Sequence, residues 1–123
     1  MYYATVVRSF SAAHHLRDYQ GKCERLHGHN YKVELQVKSP IVDRSGMVTD
    51  FTVLRQALDR LLQRFDHQDL NEIKPFDTLN PTAENIAKLI YEEMALKFSS
   101  RKVKIGSVTV WETESSFATY AAH

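Results

Sequence analysis

The chain carries one cysteine, Cys23, in 123 residues, so it has no intrachain disulfide framework and nothing in it asks for an oxidising compartment. Its four glycines and three prolines are spread thinly, and no linker divides it. Neither sign of charge dominates: 16 Lys and Arg stand against 15 Asp and Glu, for a net charge of +1. That balance argues against a chain built to coat nucleic acid and against an acidic disordered tail. No strand-length segment shows the interleaved basic and aromatic pattern of an RNA-recognition sheet. No apolar run approaches the about 18 residues of a membrane span. The start, Met1-Tyr2-Tyr3-Ala4-Thr5-Val6-Val7-Arg8, lacks the basic, apolar and small-residue zones of a signal peptide. The expectation is one domain over residues 1–123, cytoplasmic and soluble, with no membrane or nucleic-acid partner.

Hydrophobic periodicity then gives the elements. Residues 2–15 read as a strand with Phe10, Ala12 and His14 on one face and Ser11, Ala13 and His15 on the other. Residues 28–39 alternate, with Tyr31, Val33, Leu35 and Val37 facing one way and Lys32, Glu34, Gln36 and Lys38 the other. Asp50 is placed to cap a helix whose stripe is Phe51, Leu54, Leu58, Leu61, Leu62 and Phe65. Residues 66–79 read as a polar loop. Asn80-Pro81-Thr82 opens a second helix, Pro81 or its neighbour in the first turn, with the stripe Ile86, Leu89, Ile90, Met94 and Phe98. Residues 103–112 alternate again, and 117–121 supply a fourth strand. The order strand, strand, helix, helix, strand, strand predicts an α+β fold: a four-stranded antiparallel sheet with two helices on one face. So small a sheet leaves open edges and a bare face, which oligomerisation would hide.

Chemistry-bearing residues concentrate between positions 14 and 29. His27-Gly28-His29 is an H-x-H pair at a strand start, where residues i and i+2 share a face about 7 Å apart. Gly28 is read as removing bulk between the two rings. If the first two strands pair antiparallel, His14 comes beside them. Three imidazoles with an open fourth position make a catalytic zinc site, whereas Cys23 as fourth ligand would close a purely structural one. Both alternatives stand at this point. So does a non-catalytic, zinc-stabilised binding module. Lys22 and Arg25 flank Cys23 and favour its thiolate. Asp66-His67 places a carboxylate beside an imidazole, which suits proton transfer. Glu112 ends the apolar row Val108, Val110 and is either the wet end of a strand or an acceptor for paired N–H donors.

Taken together, Phe10-Ser11-Ala12-Ala13-His14, Cys23-Glu24-Arg25-Leu26-His27-Gly28-His29, Thr49-Asp50-Phe51, Asp66-His67 with Leu70-Asn71, Asn80-Pro81-Thr82-Ala83-Glu84-Asn85 and Glu112-Thr113 resemble the 6-pyruvoyltetrahydropterin synthase family over nearly the whole chain. The resemblance implies the tunnelling fold and a homohexamer of two stacked trimers. It implies Zn2+ on His14, His27 and His29, catalysis by Cys23, Asp66 and His67, and a pterin held by Glu112 and Thr82. His15 is an added histidine beside the family's single one. The three residues between Cys23 and His27 are similar to the queuosine-pathway branch, where the implied substrate is 7,8-dihydroneopterin triphosphate. The implied products are 6-carboxytetrahydropterin, acetaldehyde and triphosphate. A 6-pyruvoyl-forming or related side-chain-cleaving activity is the alternative within the family.

Overall fold

In a computed structural model of the chain, which describes residues 1–19, 21, 24–99 and 102–122, two long strands form the frame. β1 (Tyr2–His14) and β2 (His27–Ser39) pair antiparallel over their full length, from Tyr2 opposite Ser39 to His14 opposite His27. The alternation read from β2 is reproduced: Tyr31, Val33, Leu35 and Val37 are all fully buried. Each such side chain contributes about 1.5–3 kcal/mol on burial, and a register slip by one residue would turn the whole row to solvent. β1 ends at His14, one residue before the expected boundary.

α1 (Phe51–Leu62) starts where Asp50 Oδ1 accepts from the Thr52 N–H at 2.8 Å. Leu54, Leu58, Leu61 and Leu62 face the sheet, but Phe51, on the same stripe, is 47% exposed. Phe51 is the first residue of the helix, directly after its Asp50 cap. Phe65 lies beyond the helix in a turn, yet it is fully buried between Phe10 and Phe76, with ring centroids 6.0 and 5.9 Å away.

Residues 66–79 are not simply a polar loop. They hold β3 (Gln68–Asp69), which runs parallel to Ala12–Ala13 of β1, and a 3-10 turn over Leu70–Glu72. Leu70 and Phe76 within this stretch are fully buried. α2 (Ala83–Lys97) begins after Thr82, whose hydroxyl oxygen accepts from the Asn85 N–H at 3.1 Å. Pro81 therefore sits outside the helix, one residue before the cap, rather than in its first turn. β4 (Lys104–Thr113) and β5 (Ser116–Tyr120) complete an antiparallel ribbon.

The strand order is β3-β1-β2-β4-β5, so the sheet has five strands where four were expected. The added strand has two residues, too few to leave a periodic signature. α1 packs on β1 and α2 on β4 and β5, and both cover the same face. The α+β expectation with two helices on one face holds. Among the described residues no helix is long and apolar enough to cross a membrane.

Phe65→Ala should cost about 3–5 kcal/mol, read as a lowered urea midpoint. A loss below about 1 kcal/mol would mean that the turn after α1 does not anchor the core.

Candidate metal centre and proton-transfer pair

Register delivers the histidines. His14 lies opposite His27, and Ala12 lies opposite His29. All three rings therefore project from the helix-covered face at one end of the sheet. Centroid separations are 4.6 Å for His14–His27, 5.0 Å for His14–His29 and 4.8 Å for His27–His29. Gly28 points to the opposite face. A Cβ there would meet only the Ala12 carbonyl at an ordinary 3.7 Å, so it does not relieve crowding between the rings as read from sequence.

Two backbone carbonyls decide where the imidazole protons sit. His14 Nδ1 lies 2.7 Å from the Pro81 carbonyl and His27 Nδ1 lies 2.6 Å from the Arg25 carbonyl. A carbonyl only accepts, so each Nδ1 carries the proton and each neutral ring presents a bare Nε2 lone pair. Those two Nε2 atoms are 3.0 Å apart. Two lone pairs at that distance repel unless a cation lies between them. A proton is disfavoured there, because burial pushes the His14 pKa below its ordinary value, against weaker opposing pulls from the Pro81 carbonyl and Glu112. Burial likewise lowers the pKa of His29, against the pull of Glu112. Neutral, pre-oriented imidazoles backed by carbonyl acceptors suit a metal ion.

Glu112 joins the cluster, a placement sequence reasoning did not make. Its Oε1 is 3.0 Å from His29 Nε2 and 3.9 Å from His14 Nε2. The carboxylate lies off the ring's N–H direction, so His29 Nε2 makes no hydrogen bond despite the short contact. The donor atoms of His14, His27, His29 and Glu112 all lie within 4.8 Å of one another. A four-coordinate shell with ligands at 2.0–2.1 Å has edges of about 3.4 Å, so these residues fit a zinc-sized ion. Tyr31 packs its ring edge-on to His14 and His29, at 5.8 and 5.5 Å. Burial raises its phenol far above the ordinary range and keeps it neutral.

Two asparagines hold the end of β1, and neither was singled out by charge or periodicity. Asn71 accepts from the His15 N–H at 2.8 Å and donates to the His15 carbonyl at 3.0 Å. Asn80 does the same for Arg17, at 2.8 and 2.9 Å. Each amide stands in for a neighbouring strand's peptide group. Asn85 Nδ2 then donates to the Asn80 carbonyl at 2.9 Å, tying that clamp to the α2 N-terminus. Pro81 sits between these ties, and that is how its carbonyl reaches His14. The only signal available for these residues was their place in the Leu70-Asn71 and Asn80–Asn85 motifs. His15 lies outside the cluster, as expected from the strand alternation.

Asp66 and His67 are fastened to the same strand. The Ser11 N–H donates to Asp66 Oδ1 at 2.9 Å, and the His67 N–H donates to the Ser11 carbonyl at 2.6 Å. Asp66 Oδ2 lies 3.0 Å from His67 Nδ1. His67 holds a left-handed backbone with φ of 60°, which costs about 1–2 kcal/mol and is fixed here by the two Ser11 hydrogen bonds. The Ser11 N–H, followed by the His67 side chain, holds the Asp66 carboxyl below its usual range. His67 and His29 line one open cleft of about 500 Å³, with Ser11, Gly28, Asn30 and Asp69 on its walls. Thr82 caps α2 next to Pro81. Cys23 and Lys22 lie outside the described residues.

The model of the 6-pyruvoyl tetrahydropterin synthase family matches residues 3–123. The chain belongs to this family. It is 38% identical to the 6-carboxy-5,6,7,8-tetrahydropterin synthase of Synechocystis over 117 residues, covering 91% of this chain and 87% of that protein. It is 32% identical to the 6-pyruvoyl tetrahydrobiopterin synthase of Drosophila melanogaster, covering 91% and 74%. The solved 6-pyruvoyl tetrahydropterin synthase of Caenorhabditis elegans superposes with a TM-score of 0.88 at 30% identity, over 99% of this chain and 96% of that one. The fold is thus shared with the solved Caenorhabditis elegans protein.

His29→Ala should weaken zinc binding by at least about 100-fold while leaving far-UV circular dichroism unchanged. Retention of wild-type zinc affinity in that variant would remove His29 from the site. The Asp66 shift has a definite sign. Its folded pKa is depressed, so its contribution is present above the unfolded value and is lost as pH falls through the folded one. An NMR titration should place the Asp66 midpoint below the ordinary 3.8. A midpoint at or above that value would mean the Ser11 hydrogen bond does not form in solution.

Proposed function

We propose that this chain is a zinc-dependent lyase converting 7,8-dihydroneopterin triphosphate into 6-carboxy-5,6,7,8-tetrahydropterin, acetaldehyde and triphosphate, on the queuosine (7-deazapurine) route. The observation that carries the reading is the convergence of three histidine nitrogens and a carboxylate oxygen within 4.8 Å of one another. The Synechocystis relative, named for the carboxylated product, supports the choice of product.

A zinc ion held by His14, His27 and His29 supplies a Lewis acid for the substrate's side-chain oxygens. The remaining work falls to the chain. Glu112 accepts hydrogen bonds from the pterin's ring N–H and exocyclic amine and so sets its orientation. Thr82 already accepts from the Asn85 N–H, so its hydroxyl proton remains to be donated to the ligand. Cys23, as thiolate, removes a side-chain proton. Asp66 holds the Nδ1–H of His67, which leaves Nε2 to take or return a proton as triphosphate departs and the carbon–carbon bond breaks.

The reading treats residues 1–123 as one catalytic domain of a cytoplasmic homohexamer, two trimers deep. The open edge of β1 supports assembly: β3 covers only Ala12 and Ala13, so the edge is bare over the rest of the strand among the described residues. Tyr3, Val7 and Phe117 are exposed apolar side chains on these outer strands. An unpaired edge of that length invites another strand.

A 6-pyruvoyl product is the second reading, favoured by the name of the Drosophila relative. Incubation of zinc-loaded protein with 7,8-dihydroneopterin triphosphate decides between them. Acetaldehyde together with a pterin of the 6-carboxy mass is the expected outcome. A 6-pyruvoyl mass without acetaldehyde would overturn the product assignment and keep the site. Absence of turnover in protein carrying zinc would overturn the enzymatic reading in favour of a binding module.

A further inference from the structure

The position of Glu112 is more than a pterin anchor requires. Its carboxylate receives no hydrogen bond from the described residues, and it faces two imidazole nitrogens, one with its lone pair fixed by the Pro81 carbonyl. An anionic acceptor beside that bare lone pair is unfavourable unless a cation joins them. Its Oε1 lies at ligand–ligand distances from His29 and His14, 3.0 and 3.9 Å, near the about 3.4 Å edge of a four-coordinate zinc shell. The same side chain is also a wall of a second, smaller cavity of about 180 Å³, with Ala83, Glu84, Ser116 and Phe117 around it. Glu112 thus has two places to put its oxygens, and its flexible stem is partly exposed.

We propose that Glu112 is an exchangeable ligand. It closes the metal's shell in the substrate-free chain and leaves it for the paired N–H donors of a pterin ring. This rests on the reading of the site as a zinc-dependent pterin enzyme. Two parallel N–H donors take the outward lone pairs of both carboxylate oxygens, so a carboxylate turned to face the ring turns away from the metal. The consequence is selective opening. A ligand that presents only oxygens, such as inorganic triphosphate, offers Glu112 no donors and leaves the shell closed. A seated pterin ring frees the fourth position where its own side chain arrives. The metal is then shielded from adventitious ligands until the correct ring is bound.

Visible absorption of the Co(II)-loaded protein reports the shell without turnover. Wild type, Glu112→Gln and Glu112→Ala are compared alone, with neopterin and with inorganic triphosphate, and zinc affinity is measured against a chromophoric chelator. Circular dichroism verifies the fold of each variant, and neopterin fluorescence measures binding separately. Both variants should bind zinc about 10–100-fold more weakly and show a shifted cobalt spectrum. Neopterin should shift the wild-type spectrum and leave that of Glu112→Ala nearly unchanged, whereas triphosphate should leave the wild type unshifted and shift Glu112→Ala, whose fourth position is no longer shielded. Wild-type spectra and zinc affinity in both variants would overturn ligation by Glu112. Neopterin that binds by fluorescence without moving the wild-type spectrum would overturn the exchange and leave the pterin reading standing. Failure of neopterin to bind wild type would overturn the pterin reading and the exchange with it, while the variants alone would still decide ligation.

Discussion

Two hydrogen bonds from imidazole to backbone carbonyl organise this molecule: His14 Nδ1 to Pro81 and His27 Nδ1 to Arg25. They put both protons on the far side of the rings and aim two lone pairs at one point. Everything that positions Pro81 therefore serves the site. Thr82 caps α2, Asn85 ties the cap to Asn80, and Asn80 with Asn71 binds the chain just past His14. The β1–β2 register supplies the other half, since it sets His14 opposite His27. A helix N-terminus and a strand end thus meet at one imidazole.

The arrangement is costly for the fold alone. Three imidazoles are packed against one another at the end of an apolar face, where burial disfavours charge on His14 and His29. The Tyr31 hydroxyl beside them has no partner among the described residues. An apolar cluster in the same place would leave no polar group unsatisfied. The compensation lies a turn away, in the core row Tyr31, Val33, Leu35 and Val37 under the two helices and in the stacked Phe10–Tyr31 pair with centroids 4.8 Å apart. Such a site trades stability for binding, as functional sites commonly do.

Most of the frame was legible because it is periodic. β2 alternates without exception, α1 carries a leucine stripe, and the H-x-H pair announces its own face. What escaped the reading has physical reasons. β3 spans two residues, too short for any period, and the buried Leu70 and Phe76 are isolated within a polar stretch. Phe51 matched the helical spacing but is the first residue of the helix and stays exposed. Gly28 had the right neighbours for the wrong reason, since alternation turns it away from the histidines. The meeting of Glu112 with His29 depends on pairing across β2 and β4, which no local pattern encodes. Asn71 and Asn80 act through main-chain hydrogen bonds, and an asparagine in a loop looks the same whether it clamps a strand or faces water.

We propose that three histidine nitrogens hold zinc in a site that Cys23 does not close. X-ray absorption at the zinc edge of the metal-loaded protein tests it directly. Nitrogen and oxygen scatterers only, at about 2.0–2.1 Å, with the multiple scattering of three imidazoles, are expected. A sulfur scatterer at about 2.3 Å would contradict it, because a thiolate-closed shell is a structural site rather than a catalytic one.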